Sequence, residues 1–318
     1  MPNIWTHNWF GDKIAEQSKL YVLPTDLETR NLYHLGCQGP DFLFYHHYLP
    51  WHGTSAMNKL GSRLHREFCG PILLDMAKTL KEQQAKPNDP LTHYVLGFMM
   101  HHVLDRNMHP YVFCKSGSIK WNHQRFEVIM DTLVMKQVQD IDTWATPVWK
   151  QIYIGLQLPN AISTMMGRIT QTYFPEFNMN ITASDWNDAY RDMIQAQKIF
   201  HDPYGIKRVI TFGQIEPLVY KRRNKQLDYL NEARAPWSHP AVPEEVSTAS
   251  FWDLWTQAMT DGLNVWQAAE QYLFGDNQDQ DQTIAYNNLV EAIGNLSYEH
   301  GKSCDAGLEI IHEEPIWT

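Results

Sequence analysis

Apolar residues recur every three to four positions along much of the chain, which is the period of an α-helix with one buried face. Residues 56–80 follow this pattern, and Gly70 with Pro71 predicts a break or a new helix start within them. Residues 82–90 lack the pattern and are rich in polar side chains and proline, so they predict an exposed loop between two helices. Helical patterns of this kind dominate the sequence.

The segment after this loop is apolar on nearly every side of a helix, which is typical of a buried one. It predicts a helix from Leu91 to about Met108, and we expect the helix to end there because Pro110 restricts the residue before it. A further helix, with apolar residues at helical spacing, is predicted to begin near His123.

Two later helices have recognisable starts. Ser184 is predicted to cap a helix that runs through Phe200, and Ser250 is predicted to cap one that runs to about Leu273. Aspartates occupy the first turn in both cases, where a negative charge suits the positive end of the helix dipole.

Two segments interrupt the helical pattern. Residues 236–243 contain too many prolines for a helix or a central strand, so they predict a long ordered loop or a lid. Residues 275–282 are polar throughout and predict a solvated loop. Because strands do not alternate regularly with helices, we predict an all-α, multi-helix protein with a single domain over residues 1–318 and a helical C-terminal part over residues 180–318.

Composition and charge narrow the class of protein. A chain of 318 residues with 43% hydrophobic content can bury a sizeable core. The net charge of −10 argues against a stable nucleic-acid complex, because such proteins carry a basic face. We expect no transmembrane segment, a cytoplasmic location and reduced cysteines, since the sequence lacks a long apolar run, a signal-like start and a Cys-x-x-Cys pair.

The candidate chemistry is concentrated in two short segments. His101, Asp105 and His109 are spaced four residues apart, so they share one face of a helix, and His123 with Glu127 repeats the same spacing. The first three lie in the helix that is predicted to be buried, where unpaired imidazole and carboxylate groups are costly. A shared metal ion would satisfy all of them.

A larger set of motifs resembles the zinc-dependent phospholipase C family, in its bacterial branch without a signal peptide. The motifs are Met1-Pro2-Asn3-Ile4-Trp5-Thr6-His7, Gly36-Cys37-Gln38-Gly39-Pro40-Asp41, Leu60-Gly61-Ser62-Arg63-Leu64-His65, His101-x-x-x-Asp105 with His109, His123-x-x-x-Glu127, and Asp228-Tyr229-Leu230-Asn231 to Trp237-Ser238-His239-Pro240. The resemblance covers roughly residues 2–130 and, more weakly, the chain to about residue 260. It implies the all-α fold that this family shares with fungal-type single-strand nucleases, with a metal site built from residues 1–130.

The resemblance also implies two or three Zn²⁺ ions and their ligands. One site would use Asp41, His65, His101 and Asp105. A second would use His109, His123 and Glu127. A third would use the α-amino group of Pro2 after removal of Met1, together with His7 and the shared Asp105.

Two ligand assignments have alternatives. The spacing in secreted members favours His52 in place of His65, whereas the Gly-Ser-Arg-Leu-His context favours His65. The gap from Asp105 to His109 is two residues shorter than in secreted members, so either the helix geometry differs or His109 is not the ligand. The remaining histidines of this region are expected to be exposed or hydrogen-bonded rather than metal ligands, namely His34, His46, His47 and His93.

The implied activity is zinc-dependent hydrolysis of a phospholipid or another small phosphodiester. Asp105 would bridge two ions, and Asp41 would serve as a ligand and as a candidate general base. Phe42 supplies the aromatic residue that choline-specific members use, but residues 1–6 contain no acid, so choline preference is not expected. The alternatives are a nuclease or nucleotidase of the same fold and a non-catalytic helical protein that metal ions stabilise.

Overall fold

Helices make up most of the chain in the computed structural model, which describes residues 3–49, 51–275 and 279–317. The α-helices are α1 Ile4–Ala15, α2 Leu27–Gly36, α3 Ala56–Leu64, α4 Cys69–Glu82, α5 Pro90–Ser116, α6 Asn122–Gln139, α7 Asn160–Tyr173, α8 Ala183–Phe200, α9 Ile206–Ile210, α10 Phe251–Phe274 and α11 Asp279–Ile293. A short 3-10 helix spans Asp41–Tyr45. The strands β1 Trp237–His239 and β2 Val242–Ser247 form the one antiparallel pair among the described residues. The prediction of an all-α class is confirmed.

The helix α5 lies at the centre of the molecule, in contact with α1, α2, α4, α6 and α10. Glycines allow α2 to cross it closely. A Cβ atom on Gly36 would lie 2.3 Å from the Tyr94 carbonyl oxygen, and one on Gly97 would lie 2.4 Å from the Tyr33 carbonyl oxygen. The backbones therefore touch at this crossing, which holds the end of α2 against the middle of α5.

The predicted end of the central helix near Met108 is wrong, because α5 continues through Pro110. Proline removes the backbone hydrogen bond to the Arg106 carbonyl and costs about 3 kcal/mol inside a helix. The residues that follow repay this cost: Tyr111 and Val112 are almost completely buried, and each large apolar side chain gains about 2 kcal/mol on burial. Packing of the last turns outweighs the local preference.

Of the three other predicted helix starts, two are confirmed and one is wrong. α6 begins beside His123, and Ser250 caps α10 as expected. The predicted cap at Ser184 is wrong, since Thr182 is the residue before α8. The Asp185 carboxylate accepts hydrogen bonds from the Thr182 backbone N–H at 2.6 Å and hydroxyl at 2.7 Å. The reciprocal pairing of residues three apart favours Thr182 over Ser184.

The two predicted loops are partly wrong. Residues 237–247 form the β-hairpin rather than a loop or lid; Pro240 lies in its turn, and Pro243 lies on an edge strand, where proline is tolerated. Residues 279–282 begin α11 rather than forming part of a loop. Residues 276–278 of the predicted 275–282 loop lie outside the described residues.

A continuous apolar core takes side chains from Ile4 in α1 to Ile293 in α11. The four cysteines are free thiols, as expected. None of the described helices combines the length and the apolar character that crossing a bilayer requires.

Candidate metal centre

The helix α5 supplies the centre of the site. His101, Asp105 and His109 lie on one face, as their spacing predicts, and Asp105 is completely buried. One Asp105 oxygen lies 3.1 Å from His101 Nε2 and 3.8 Å from His109 Nδ1. The other oxygen lies 3.3 Å from His7 Nε2. Asp105 is therefore surrounded by three imidazoles.

The first group of candidate ligands is Asp41, His65 and His101. Asp41 Oδ1 lies 3.0 Å from His65 Nε2 and 3.8 Å from His101 Nε2. Asp41 begins the 3-10 helix, and His65 directly follows α3 as its C-cap. His65 rather than His52 thus lies beside Asp41; His52 is exposed and stacks on His47 with 5.0 Å between ring centroids.

The turn between α2 and Asp41 wraps around the His101 ring. Gly39 has a backbone φ of +50°, and a Cβ atom there would lie 2.0 Å from His101 Cδ2. The Cys37 carbonyl lies 3.1 Å from His101 Nδ1. Glycine is required at residue 39 both for the left-handed backbone and for the space that the imidazole occupies.

The second group is His7, His101 and Asp105. The rings of His7 and His101 lie 4.6 Å apart. Asp131 holds α1 in place, because its carboxylate accepts hydrogen bonds from the backbone N–H groups of Trp5 at 3.0 Å and Thr6 at 3.1 Å. An acid at the positive end of a helix is stabilising. The predicted ligand Pro2 lies outside the described residues.

The third group is His109, His123 and Glu127, which joins α5 to α6. Glu127 Oε1 lies 2.7 Å from His123 Nε2 and 3.9 Å from His109 Nε2. The short gap between Asp105 and His109 therefore does not prevent His109 from reaching the other two predicted ligands. Every predicted ligand within the described residues thus belongs to one of three groups, although Asp105 lies in the group of His7 and His101 and not in that of Asp41 and His65.

Backbone carbonyls set the tautomers of three histidines. His65 Nδ1 donates to the Gly61 carbonyl at 2.7 Å, His101 Nδ1 to the Cys37 carbonyl, and His109 Nδ1 to the Tyr298 carbonyl at 2.7 Å. A carbonyl oxygen only accepts, so each Nδ1 carries a proton, and each Nε2 faces the acids and offers a lone pair when it is unprotonated. Metal-binding histidines are held in this way.

Several buried atoms of the site have no hydrogen-bond partner. They are Nε2 of His7, His101 and His109 and both carboxylate oxygens of Asp105. His7 Nε2 and His101 Nε2 lie 3.3 Å and 3.1 Å from Asp105 oxygens without forming hydrogen bonds, and His109 Nε2 lies 3.9 Å from Glu127 Oε1. A buried polar atom without a partner costs about 1–3 kcal/mol, so five together are an expensive arrangement for a protein without a ligand. The atoms fit divalent cations, which would satisfy them all.

The pKa values of the site's side chains also suit a divalent cation. Burial raises the pKa of Asp105, but His101 and His109 outweigh it and hold that pKa well below its usual range. Burial lowers the pKa of His109 to about 4. Burial also lowers the pKa of His65, but Asp41 outweighs it and raises that pKa to about 9. His65 must therefore lose a proton before it binds a metal ion at neutral pH.

Solvent reaches two of the groups through side chains that are partly exposed. The Asp41 and His123 side chains are 25% and 21% exposed, whereas Asp105 is fully buried. Phe42, the expected aromatic wall, is buried against Trp186 and cannot contact a substrate. Phe44 is 43% exposed instead, and its ring lies 5.2 Å from that of His65.

The sequence did not predict that the C-terminal part helps to position the candidate ligands. The Tyr298 carbonyl orients His109, and its backbone N–H donates to the His65 carbonyl at 3.0 Å. Another missed group is His46 with Asp185 and Asp188, which offers a fourth set of ligand atoms. The three-residue spacing of the two aspartates on one helix was the available signal.

All four histidines that were expected to be exposed or hydrogen-bonded are so: His47 is exposed, and His46 Nδ1 lies 2.9 Å from the Ser55 hydroxyl. His34 Nε2 lies 3.0 Å from Asp12, and His93 Nδ1 lies 2.7 Å from the Tyr21 hydroxyl. Two surface grooves of the described chain, one lined by Trp9, Arg30 and His34 and the other by lysines of α4, contain none of the predicted ligands.

Comparison with protein-family models, with curated proteins and with solved structures finds no match for this chain.

Proposed function

We propose that this chain is a zinc-dependent hydrolase of phosphodiester bonds, similar in its site to the zinc-dependent phospholipases C. The Asp105 carboxylate supports this most. Its two oxygens face different histidines, His7 on one side and His101 with His109 on the other, and neither oxygen has a hydrogen bond. A buried carboxylate in this position is suited to bridge two metal ions.

The open side of the site favours catalysis over a purely stabilising role. Structural zinc sites are closed by four protein ligands, whereas catalytic sites keep a position for water or substrate. Each candidate group here contains three side chains, and two of the ligands, Asp41 and His123, are partly exposed. Substrate could therefore approach the first group at Asp41 and the third group at His123.

Bound zinc ions would act as Lewis acids towards phosphoryl oxygens and lower the pKa of water towards about 7. Asp41 is the candidate general base, because it is the most exposed of the three carboxylates and can accept a proton from an attacking water. Asp105 stays ionised, and its negative charge would compensate the positive charge of the bound ions. The imidazoles of His65 and His101 present Nε2 towards the same space.

The substrate we propose is a phospholipid or another small phosphodiester, which would release a phosphorylated headgroup. Exposed Phe44 beside His65 offers an apolar surface next to the first group. The net charge of −10 opposes a long nucleic-acid strand, although a short nucleotide would be less affected.

The test uses the untagged full-length chain with a panel of substrates: a chromogenic phosphorylcholine ester, a bis-aryl phosphate, a 3′-nucleotide and single-stranded DNA. Asp41→Asn and Asp105→Asn are expected to lower kcat/KM by at least about a hundredfold, as loss of a catalytic group does. His93→Gln is the matched control, since His93 is buried and hydrogen-bonded outside the groups. Activity should vanish on chelation and return with Zn²⁺.

Two other results would contradict the proposed function. Turnover of the nucleotide or single-stranded DNA without turnover of the phosphorylcholine ester would identify a nuclease or nucleotidase. Zinc that raises the melting temperature while every substrate stays intact would make the groups structural and would refute the hydrolase.

A further inference from the structure

A second cluster of metal-binding side chains lies between the 3-10 helix and α8. His46 follows the 3-10 helix, while Asp185, Asp188 and Asp192 share one face of α8 at spacings of three and four residues. Atoms of His46, Asp185 and Asp188 lie within 4.8 Å of one another. None of these residues belongs to the three groups around Asp105.

His46 distinguishes this cluster from an ordinary acidic surface. The side chain is only 4% exposed, and its Nε2 points to Asp185 Oδ1 at 3.4 Å without making a hydrogen bond. The other ring nitrogen, Nδ1, lies 2.9 Å from the Ser55 hydroxyl. A buried imidazole with one nitrogen fixed and the other facing two carboxylates has the arrangement of a metal ligand.

The two acids have capacity left for an ion. Asp185 uses Oδ2 for the cap of α8, which leaves Oδ1 towards His46. Asp188 forms an ion pair with Arg191 through Oδ1, but both side chains are more than a third exposed, and such a pair is worth at most about 1 kcal/mol. An incoming cation would compete with Arg191 at little cost, and the exposure of Asp188 provides its route from solvent.

We propose that His46, Asp185 and Asp188 form a further metal site, which takes one divalent transition-metal ion such as Zn²⁺ and ties the 3-10 helix to α8. One imidazole and two carboxylates suit this class of ion, with water completing the coordination. The site is separate from the proposed hydrolase site and does not depend on it.

The position of the site gives it a structural consequence. Asp41 and His46 lie at the two ends of the same short segment. Two other contacts already join this segment to α8: Phe42 packs on Trp186 with ring centroids 6.4 Å apart, and Gln197 donates to the Tyr45 hydroxyl at 2.9 Å. An ion at His46 would add a third attachment and so restrain Asp41.

The test measures zinc bound per full-length chain by elemental analysis, after metal removal, incubation with micromolar Zn²⁺ and gel filtration. His46→Gln and Asp188→Asn are each expected to lose one equivalent relative to the unmodified chain. His47→Gln is the control, because His47 stacks on His46 at 3.9 Å but is not in the cluster. Arg191→Gln, which removes the competitor of Asp188, is expected to keep the ion. Far-UV circular dichroism checks that each variant folds.

A zinc count that is the same in His46→Gln and Asp188→Asn as in the unmodified chain would overturn the proposal. Such a result would mean that His46 only pairs with Asp185, through a hydrogen bond or an ion pair, and does not bind a metal ion. Asp105→Asn separates the two proposals: it should lower the zinc content if the hydrolase groups bind metal, and it should leave the equivalent lost by His46→Gln in place. A crystal soaked in Zn²⁺ gives an independent reading, since an anomalous peak about 2.0–2.1 Å from His46 Nε2 is expected.

Discussion

At the scale of single residues, the histidines around Asp105 are oriented by the backbone rather than by other side chains. The carbonyls of Cys37, Gly61 and Tyr298 each accept the Nδ1 proton of one histidine. A carbonyl is fixed by its own segment, so the imidazole cannot turn without disturbing the fold. The candidate ligand atoms are therefore held in place by the fold itself, which would lower the entropy cost of binding an ion.

Gly39→Ala tests how strictly His101 is held. The new methyl group would overlap the His101 ring and would sit on a backbone with positive φ. We expect zinc affinity to fall by about ten- to a hundredfold, as it does when groups that orient ligands are disturbed. Isothermal titration with Zn²⁺ gives the measurement. Gly53→Ala is the control, because a Cβ atom there meets nothing within 4 Å; equal affinities in the two variants would contradict the role of Gly39.

At the scale of elements, the end of α5 depends on the C-terminal segment. The last carbonyls of a helix have no donors within it. Here they accept from residues that follow in the sequence by about two hundred positions: Glu314 N–H donates to Cys114 at 2.6 Å, Ile316 N–H to Lys115 at 2.9 Å, and Trp317 Nε1 to Ser116 at 3.2 Å. All three accepting carbonyls belong to the part of α5 that continues beyond Pro110.

Glu314→Gln is expected to weaken this docking. The carboxylate lies 2.8 Å from Lys115 Nζ and 3.0 Å from His312 Nε2. Burial raises the pKa of Glu314, but these two partners outweigh it and lower the pKa to about 2. The free energy of unfolding should fall by about 1 kcal/mol at pH 7, since the pair is partly exposed.

The pH dependence of this effect has a definite sign. A carboxyl whose pKa is lowered by folding stabilises the protein above its unfolded pKa of 4.5 and loses that effect as the pH falls towards about 2. Urea unfolding at pH 7 and at pH 2.5 should therefore show a difference between variant and unmodified chain that shrinks in acid. Glu309→Gln, at an exposed residue of the same segment, is the control. A difference that persists at low pH would mean that packing, not charge, is lost.

The sequence predicts elements well where one local signal decides them and poorly where distant packing does. The spacing of His101, Asp105 and His109 is sufficient to place them on one face of α5. The end of α5 is not predictable from Pro110 alone, because the burial of Tyr111 outweighs the local cost. Tyr298 has no local feature that connects it to His109, since the two meet only in the folded chain.

At the scale of the whole molecule, the candidate ligands join elements that are far apart in sequence. They lie on α1, the 3-10 helix, the end of α3, α5 and α6, and the first four of these meet around Asp105 and Asp41. Bound ions would therefore cross-link most of the N-terminal half of the described chain.

Metal removal is accordingly expected to destabilise the entire protein. An ion present at a hundred times its Kd adds about 2.7 kcal/mol to stability. Chelation should lower the Tm by several degrees in differential scanning calorimetry, and Zn²⁺ should restore it. Asp105→Asn, which lacks the central carboxylate, should respond much less. Superimposable melting curves before and after chelation would contradict metal binding by the groups.

The hydrogen bond from His109 to the Tyr298 carbonyl joins residues 189 positions apart. During synthesis on the ribosome, the earlier ligands emerge long before this carbonyl exists, and domains fold as their last required segments appear. A nascent chain that has not yet reached Tyr298 therefore lacks the acceptor that fixes the His109 ring, so His109 takes its final orientation only after this later segment has been made and has packed.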